Sequence, residues 1–343
     1  MAKKELNADE RLDLITRNLQ EVIGLDELKK LLEGKKEVSV YWGTMPTGSP
    51  HVSYFVPFLK IADFLKAGLR VKVLIADLHA ALDGVPWEIL DKRQAYYEEV
   101  IPSMLKAIGV DISKLEFVRG SSFQLKPKYF EDVLKMSMKN SVNECIKAAS
   151  EVVKLGDNPR LGGLIYPIMQ SLDEEYLEVD AQFGGMDQRR IFVFARENLP
   201  ALKYKPRVEL LNPIIPGLIG KKMSSSIPGT KIDVLDDEKT VEMRINKAEC
   251  VEGNPDNGIM AFLKYVIFVI KKDNGQKLLI KRHEKFGGDL IYENYSQLEK
   301  DFMEKKLHPM DLKQAIAKEI NILLDSIRKN PKLKKLYSAA YPN

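Results

Sequence analysis

Short runs of β-branched and aromatic residues near the start of the chain alternate with longer stretches of helical periodicity. Residues 37–42 and 70–76 have the composition of strands, and between them the apolar positions of residues 55–65 recur at helical spacing. A helical pattern over residues 87–108 and a third strand-like run at 115–119 continue the alternation. Strands and helices that alternate in this way predict a parallel sheet covered by helices, as in a Rossmann-like fold.

The pattern changes near residue 230. Four helical patterns follow, with Gly and Pro between them and little strand signal: residues 236–248, 257–270, 292–305 and 310–328. We therefore expect two domains, a Rossmann-like α/β domain over residues 1–230 and an all-helical domain over residues 231–343.

The composition is that of an ordered protein. A chain of 343 residues that is 45% hydrophobic and 30% charged has enough apolar side chains for two folded domains. Its two cysteines, Cys145 and Cys250, are too far apart for a CxxC site, so we expect neither a metal site nor a disulfide framework. The chain has no apolar signal segment and no run as long as a membrane span, which predicts a soluble, cytoplasmic protein without a membrane partner.

Charge is distributed unevenly along the chain. The net charge is +4, but the residues from Ala261 to the end carry 17 Lys and Arg against 10 Asp and Glu, a net of +7. A basic C-terminal third suits a protein that holds a polyanion, because each neutralised phosphate releases counterions. A solvated helical surface explains the same charges, so charge alone leaves both interpretations open.

A loop punctuated by Gly and Pro, residues 43–51, follows the first predicted strand and leads into the next helix. Gly43 allows a ligand to approach the backbone, and the helix start offers N–H groups and a positive dipole to phosphate oxygens. His51, in the first turn of that helix, could donate to the same phosphates, although a histidine there also serves as a cap or packing residue. The loop matches neither the P-loop nor the GxGxxG pattern, which disfavours those NTPase and dehydrogenase classes.

Small, polar and cationic residues make up a second loop, residues 220–226. Such a segment suits a loop that closes over a ligand, and its Lys222 could stabilise a pyrophosphate leaving group as charge develops in the transition state. A serine-rich surface loop with phosphorylation sites is the other interpretation of the same residues.

Three polar residues share one face of a helix predicted over residues 164–173. Tyr166, Gln170 and Asp173 follow one another at spacings of four and three, while apolar neighbours indicate that the helix is mostly buried. Buried polar side chains are costly unless something pairs with them, so a polar ligand is a good candidate partner. Residues 179–190 then predict a strand, a Gly-Gly turn and a helix, the layout of a crevice that suits adenosine.

Together these motifs resemble those of the tyrosyl-tRNA synthetases of archaea and of the eukaryotic cytoplasm. Residues 50–54 resemble the HIGH signature of class I aminoacyl-tRNA synthetases in the form that lacks the second histidine, with Tyr54 in its place. Residues 222–226 resemble the KMSKS signature, with Ser225 in place of the second lysine. The resemblance covers essentially the whole chain, in the motif order and spacing of the family.

The resemblance implies an activity and a set of site residues. The family activates L-tyrosine with ATP and Mg²⁺ and transfers it to tRNA(Tyr). Catalysis would involve His51, Tyr54, Lys222, Ser224, Ser225 and Ser226. Tyr41 and Asp173 would bind the phenol of tyrosine, and Tyr166, Gln170 and Gln188 its amino group. ATP would contact Gly43, His51, Gly185, Asp187, Lys222 and Met223.

The resemblance also implies how tRNA and a second subunit bind. Phe286 would stack on the first anticodon base and Asp311 would pair with it, although an acid in the first turn of a helix also stabilises the helix dipole. Lys147 would contact the acceptor end. We expect a homodimer formed through the helical region at about residues 86–134, and no DNA partner. The alternatives are a tryptophanyl-tRNA synthetase and a synthetase-like RNA-binding protein without activity.

Overall fold

The computed structural model describes residues 6–34, 37–218 and 231–342. The described residues form two compact units. The first unit takes its residues from Met1–Thr47, Lys60–Glu98 and Asp111–Ile214, and the second from Gly48–Leu59, Glu99–Val110 and Ile215–Asn343. The domain boundary predicted after residue 230 falls beside a segment outside the described residues, and it stays a prediction.

A six-stranded sheet forms the centre of the first unit. Its strands are β1 (Glu21–Ile23), β2 (Ser39–Thr44), β3 (Arg70–Ile75), β4 (Leu115–Arg119), β5 (Ala181–Gly185) and β6 (Val208–Asn212). They lie in the order β1-β6-β5-β2-β3-β4, and all neighbours are parallel except β1, which is antiparallel to β6. The strand order reverses between β2 and β5, and ligands of open α/β sheets bind at such a point, beyond the carboxyl ends of the strands.

Helices follow the strands along the chain. They are α1 (Ala8–Thr16), α2 (Leu25–Gly34), α3 (Phe55–Lys66), α4 (Asp77–Leu82), α5 (Trp87–Ala107), α6 (Ser121–Gln124), α7 (Pro127–Lys139), α8 (Val142–Ala149), α9 (Leu161–Tyr176) and α10 (Arg189–Asn198). Local chemistry sets several of their starts: Ser141 and Glu144 form a capping box at α8, and Pro127 occupies the first turn of α7. The parallel alternation predicted from the sequence is confirmed.

Helices also dominate the second unit. Those that lie wholly within it are α11 (Glu238–Lys247), α12 (Gly258–Phe262), α13 (Phe268–Asp273), α14 (Tyr295–Met303), α15 (Pro309–Arg328) and α16 (Pro331–Ala340), with a π-helical turn at Leu263–Ile267. Helix α11 packs along α15. None of the helices within the described ranges is long and apolar enough to cross a membrane.

The second unit departs from the all-helical expectation in one place. Two short strands, β7 (Leu278–Ile280) and β8 (Leu290–Tyr292), form an antiparallel pair. Leu278 and Ile280 are buried and the residue between them is 40% exposed, which is the alternation of a half-buried strand. Tyr292 therefore belongs to β8, and the helix predicted to begin there starts at Tyr295 instead. Three residues are too few for this alternation to be recognised in a sequence.

Candidate active site

Asp173 is a buried carboxyl on α9 whose two oxygens have different surroundings. Its Oδ1 accepts hydrogen bonds from Gln124 Nε2 and from the Tyr129 hydroxyl, both at 2.8 Å. Its Oδ2 has no hydrogen-bond partner among the described residues, and His79 Nε2 lies 3.8 Å from it. Burial raises the pKa of Asp173 to about 7, and the bonds from Gln124 and Tyr129 offset this only in part. Oδ2 is therefore available to accept a hydrogen bond from a ligand.

His79, on α4 directly after β3, is uncharged at neutral pH. Burial lowers its pKa to about 4, despite the opposing effect of Asp77. Its ring packs edge-on against Tyr166, with the ring centroids 4.7 Å apart, and its Nδ1 is 3.4 Å from Gln124 Nε2. A neutral imidazole does not form a full ion pair with Asp173, which is one reason the pKa of that carboxyl stays high.

Tyr41 is a buried phenol on β2. Burial raises its pKa well above the ordinary value, and the negative charge of Asp173 raises it further, so the hydroxyl keeps its proton. Gln182, the register partner of Tyr41 on β5, donates a hydrogen bond from Nε2 to Tyr41 Oη. Because the charge of Asp173 acts on the Tyr41 hydroxyl, the structure brings these two predicted residues into one buried region.

The three residues predicted to hold an amino group lie on α9 and in the turn after β5. Gln170 Nε2 donates to Gln188 Oε1 at 3.0 Å, so these two side chains meet directly. Gln170 Oε1 is buried and has no partner within the described part of the chain. The hydroxyl of Tyr166 contacts Met45 Sδ at 3.3 Å, a weak acceptor. Two carbonyl or hydroxyl oxygens of this group can therefore accept hydrogen bonds from a ligand ammonium.

Two of the predicted ATP contacts lie at or near the ends of neighbouring strands. Gly43 lies near the end of β2 and Gly185 at the end of β5, at the point where the strand order reverses. A Cβ on Gly185 would come within 2.6 Å of Asp187 Oδ1, so the Asp187 carboxylate already occupies the space of a side chain there. A Cβ on Gly43 would make only an ordinary contact, 3.6 Å from the Tyr41 ring. A side chain at residue 185 would therefore displace the Asp187 carboxylate, whereas the exposed backbone of Gly43 can be approached by a ligand.

His51 belongs to the second unit, where it is buried and neutral. It is the N-cap of a 3₁₀ turn, Val52–Tyr54, and forms an antiparallel bridge with Asp233. Burial and the positive charge of Lys231 lower the pKa of His51 to about 3. Its Nδ1 is buried and has no partner among the residues that the structure describes, and Tyr54 packs edge-on against its ring at 5.3 Å. The ring can act as a neutral donor or acceptor, but not as a cation.

The local structure at His51 corrects one prediction. The sequence placed His51 in the first turn of a helix with unpaired N–H groups, whereas the residue precedes a 3₁₀ turn in an extended conformation. The Val52 N–H donates to the Ile232 carbonyl at 3.0 Å, so this N–H is not free for phosphate oxygens. The bridge to a segment far along the chain could not be read from local periodicity.

Five residues of the predicted catalytic loop lie outside the described residues: Lys222, Met223, Ser224, Ser225 and Ser226. Their roles stay predictions from the sequence.

The predicted tRNA contacts are distributed over both units. In the second unit, Phe286 is 61% exposed and Lys285 Nζ lies 4.8 Å from its ring centroid, while Asp311 is in the first turn of α15. In the first unit, Lys147 is exposed in the last turn of α8. All three positions are accessible from solvent at least in part, and nothing in their own surroundings identifies a ligand.

Sequence reasoning missed three side chains around Asp173: His79, Gln124 and Tyr129. Two of them follow strands of the parallel sheet, His79 after β3 and Gln124 after β4. A signal was present, because polar residues just beyond the carboxyl ends of parallel strands converge on one edge of the sheet. Tyr129 lies inside α7 and carried no such signal.

An open, mostly parallel sheet with polar side chains gathered beyond its reversal point is the architecture of the α/β proteins that bind nucleotides. The match to a family model is more specific, since residues 33–325 fit the one described as tRNA synthetases class I (W and Y). The chain belongs to this family.

Individual relatives agree with that membership. The chain is 51% identical to the cytoplasmic tyrosine–tRNA ligase of Danio rerio over 99% of its own length and 64% of that relative's, so it spans less than two thirds of that protein. It is 41% identical to the tyrosine–tRNA ligase of Haloarcula marismortui over 98% of both chains. The crystal structure of Archaeoglobus fulgidus tyrosyl-tRNA synthetase complexed with L-tyrosine superimposes with a TM-score of 0.87 at 40% identity, covering 94% of this chain and 99% of that one. The resemblance predicted from the motifs is confirmed.

Proposed function

We propose that this protein is a tyrosine–tRNA ligase. It joins L-tyrosine and ATP into tyrosyl-adenylate with release of pyrophosphate, and then transfers the tyrosine to the 3′ end of tRNA(Tyr). The observation that carries the proposal is the buried pair of Tyr41 and Asp173, in which Asp173 Oδ2 has no partner among the described residues. The names of the relatives support the same substrate.

Selection of tyrosine follows from the cost of leaving a buried polar group unpaired. A tyrosine phenol donates to Asp173 Oδ2 and contacts the Tyr41 hydroxyl. Phenylalanine would fill the same space and leave the carboxylate without a donor, a loss of about 1–3 kcal/mol or more. Tyrosyl-tRNA synthetases are the standard example of this form of specificity. Because phenylalanine is rejected at binding, no editing step is needed.

The remaining predicted residues hold the other parts of the reactants. Gln170 Oε1 and the Tyr166 hydroxyl accept from the tyrosine ammonium, with Gln188 fixing the Gln170 amide. Gly185 and Asp187 face the ribose of ATP, and Gly43 and the neutral His51 approach its phosphates. Mg²⁺ enters with the ATP phosphates.

The chemistry needs no protein nucleophile. The tyrosine carboxylate attacks the α-phosphorus of ATP and pyrophosphate leaves; a hydroxyl of the terminal tRNA ribose then attacks the tyrosyl carbonyl and AMP leaves. Catalysis therefore comes from positioning and from stabilising charge on the leaving group, the role we assign to Lys222 together with Met223, Ser224, Ser225 and Ser226. His51, with Tyr54 packed against its ring, would donate to the phosphates as a neutral imidazole.

Exchange of labelled pyrophosphate into ATP tests the proposal directly. Purified full-length protein with ATP and Mg²⁺ is expected to support exchange with L-tyrosine, and not with L-tryptophan or L-phenylalanine at the same concentration. Charging of total tRNA should then incorporate tyrosine alone. Exchange with tryptophan only would identify a tryptophanyl enzyme, and absence of exchange with any aromatic amino acid would favour an RNA-binding protein without activity. Either result rejects the proposal.

We further propose that the second unit binds the anticodon, with Phe286 stacking on the first base and Asp311 pairing with it. Asp311→Ala should raise the KM for tRNA(Tyr) about tenfold in the charging reaction, because one hydrogen bond to a base is lost. Pyrophosphate exchange should be unchanged, since it does not involve tRNA.

Glu238→Ala is the matched control, because Glu238 is also an acid in the first turn of a helix of the second unit. A residue that acts only through the helix dipole contributes a few tenths of a kcal/mol to stability and leaves the KM for tRNA unaltered. Equal KM values for tRNA in both variants would show that Asp311 acts only through the helix dipole.

A homodimer completes the proposal. The helical region at residues 86–134 exposes Leu125, Phe130 and Leu134, whose side chains are 68%, 59% and 56% accessible. Exposed apolar side chains in one short segment suit a subunit contact. We also propose that residues 1–230 bind tyrosine and ATP and that residues 231–343 bind the anticodon, while Lys147 contacts the acceptor end. We further propose that the protein is cytoplasmic, because the names of its vertebrate relatives describe them as cytoplasmic.

A further inference from the structure

A row of buried polar side chains crosses the centre of the sheet. Tyr41 on β2, Gln182 on β5 and Glu209 on β6 are register partners, and each is at most 2% exposed. The interior strands of a parallel sheet are normally apolar on both faces. Polar side chains at three adjacent positions therefore need an explanation beyond packing.

The hydrogen bond between Gln182 and Tyr41 has a direction. Gln182 Nε2 donates to Tyr41 Oη, so the Tyr41 oxygen is an acceptor in this bond and its own hydrogen must point elsewhere. Gln182 Oε1 and both carboxyl oxygens of Glu209 are buried and have no partner among the described residues. Both oxygens of Glu174, on α9, are in the same situation.

The surroundings of Gln182 preserve this direction. Burial and the nearby Glu174 raise the pKa of Glu209 well above its ordinary value, against the opposing charges of Arg196 and Arg207. Neither Glu209 oxygen accepts a hydrogen bond from Gln182, and the Gln182 amide donates to the Tyr41 oxygen instead.

We propose that Gln182 is a positioning residue for substrate recognition: by donating to Tyr41 Oη, it turns the Tyr41 hydroxyl hydrogen toward the bound ligand, which has to accept it. The inference rests on the proposed function and deepens it. The phenol oxygen of tyrosine accepts from Tyr41, and the phenol hydrogen is donated to Asp173 Oδ2. The pocket thus requires a para substituent that both accepts and donates.

A ligand that donates but accepts poorly tests this requirement. 4-Amino-L-phenylalanine has two donor hydrogens for Asp173, but its nitrogen is a weak acceptor for the Tyr41 hydrogen. In Gln182→Met the Tyr41 hydroxyl is free to rotate and to accept from the amino group. The ratio of kcat/KM for tyrosine to that for 4-amino-L-phenylalanine, measured by pyrophosphate exchange, should fall about tenfold in this variant, the effect of one neutral hydrogen bond. The KM for ATP should not change.

Two further variants separate the donor role from packing. Lys72→Met removes the polar neighbour of Tyr41 on the other side, β3, where Lys72 Nζ donates to the Leu177 carbonyl at 2.7 Å. This variant should keep the wild-type ratio. If thermal melting shows that Gln182→Met is unfolded, Gln182→Asn replaces it. The shorter asparagine side chain moves the amide donor away from Tyr41 and should lower the ratio in the same way.

The possible outcomes are distinct. An unchanged ratio in the folded Gln182 variant, or an equal fall in Lys72→Met, rejects the positioning role. A wild-type protein that supports no exchange with tyrosine rejects the proposed function itself, before any variant is compared.

Discussion

Asp173→Asn is expected to raise the dissociation constant of tyrosine about a hundredfold at pH 8. A hydrogen bond to a charged acceptor contributes about 1.5–3 kcal/mol, which corresponds to a factor of roughly 10 to 150. Gln124 and Tyr129 can still donate to the asparagine oxygen, as they do to Asp173 Oδ1. The asparagine NH₂ group would then take the place of Oδ2 and present hydrogens, not an acceptor, to the phenol. Equilibrium dialysis with labelled tyrosine measures the effect without ATP.

The pKa of Asp173 also predicts that the affinity for tyrosine depends on pH. Its pKa is raised to about 7, so the free protein loses the accepting carboxylate as the pH falls through 7. The dissociation constant of tyrosine should rise about tenfold for each pH unit below 7 in the wild-type protein and stay flat in Asp173→Asn.

Asp132→Asn provides the control for loss of a buried aspartate. Asp132 accepts hydrogen bonds from the hydroxyls of Tyr176 and Tyr204, at 2.8 and 2.6 Å, in the same unit. This variant should lose stability and keep the wild-type pH profile of tyrosine binding. A flat profile in the wild type would exclude Asp173 as the titrating acceptor.

Lys222→Ala is expected to slow adenylate formation about 10²- to 10³-fold, the usual effect of removing one group that stabilises charge in a transition state. The dissociation constant of tyrosine should stay nearly unchanged, because the proposed role of Lys222 begins only when pyrophosphate leaves. Single-turnover formation of tyrosyl-adenylate at saturating ATP measures the rate. Lys221→Ala, which removes the neighbouring charge, should have a smaller effect. A large loss of tyrosine affinity in Lys222→Ala would contradict the loop's proposed role.

Local patterns predicted the first unit well. The runs at 70–76 and 115–119 are strands β3 and β4, and the helical pattern at 87–108 is α5. Continuous apolar runs are reliable in this setting because interior parallel strands are buried on both faces. The short β7 and β8 were missed because three residues provide only one alternation each.

The candidate site was predicted where local spacing carries the information. Tyr166, Gln170 and Asp173 share one face of α9, as their spacing requires. Gln124 and Tyr129, which hold Asp173, are 49 and 44 residues away from it in the sequence. No periodicity within a single element relates residues so far apart.

Periodicity and motif order were sufficient for the types of most elements, for the family and for a set of candidate residues, because these depend on neighbours in the chain. Three features depend on the tertiary structure: the Asp173 oxygen that has no partner in the described part of the chain, the neutral state of His51 and the hydrogen-bond direction at Tyr41. Each arises from burial and from contacts between side chains that become neighbours only when the sheet and its helices have assembled.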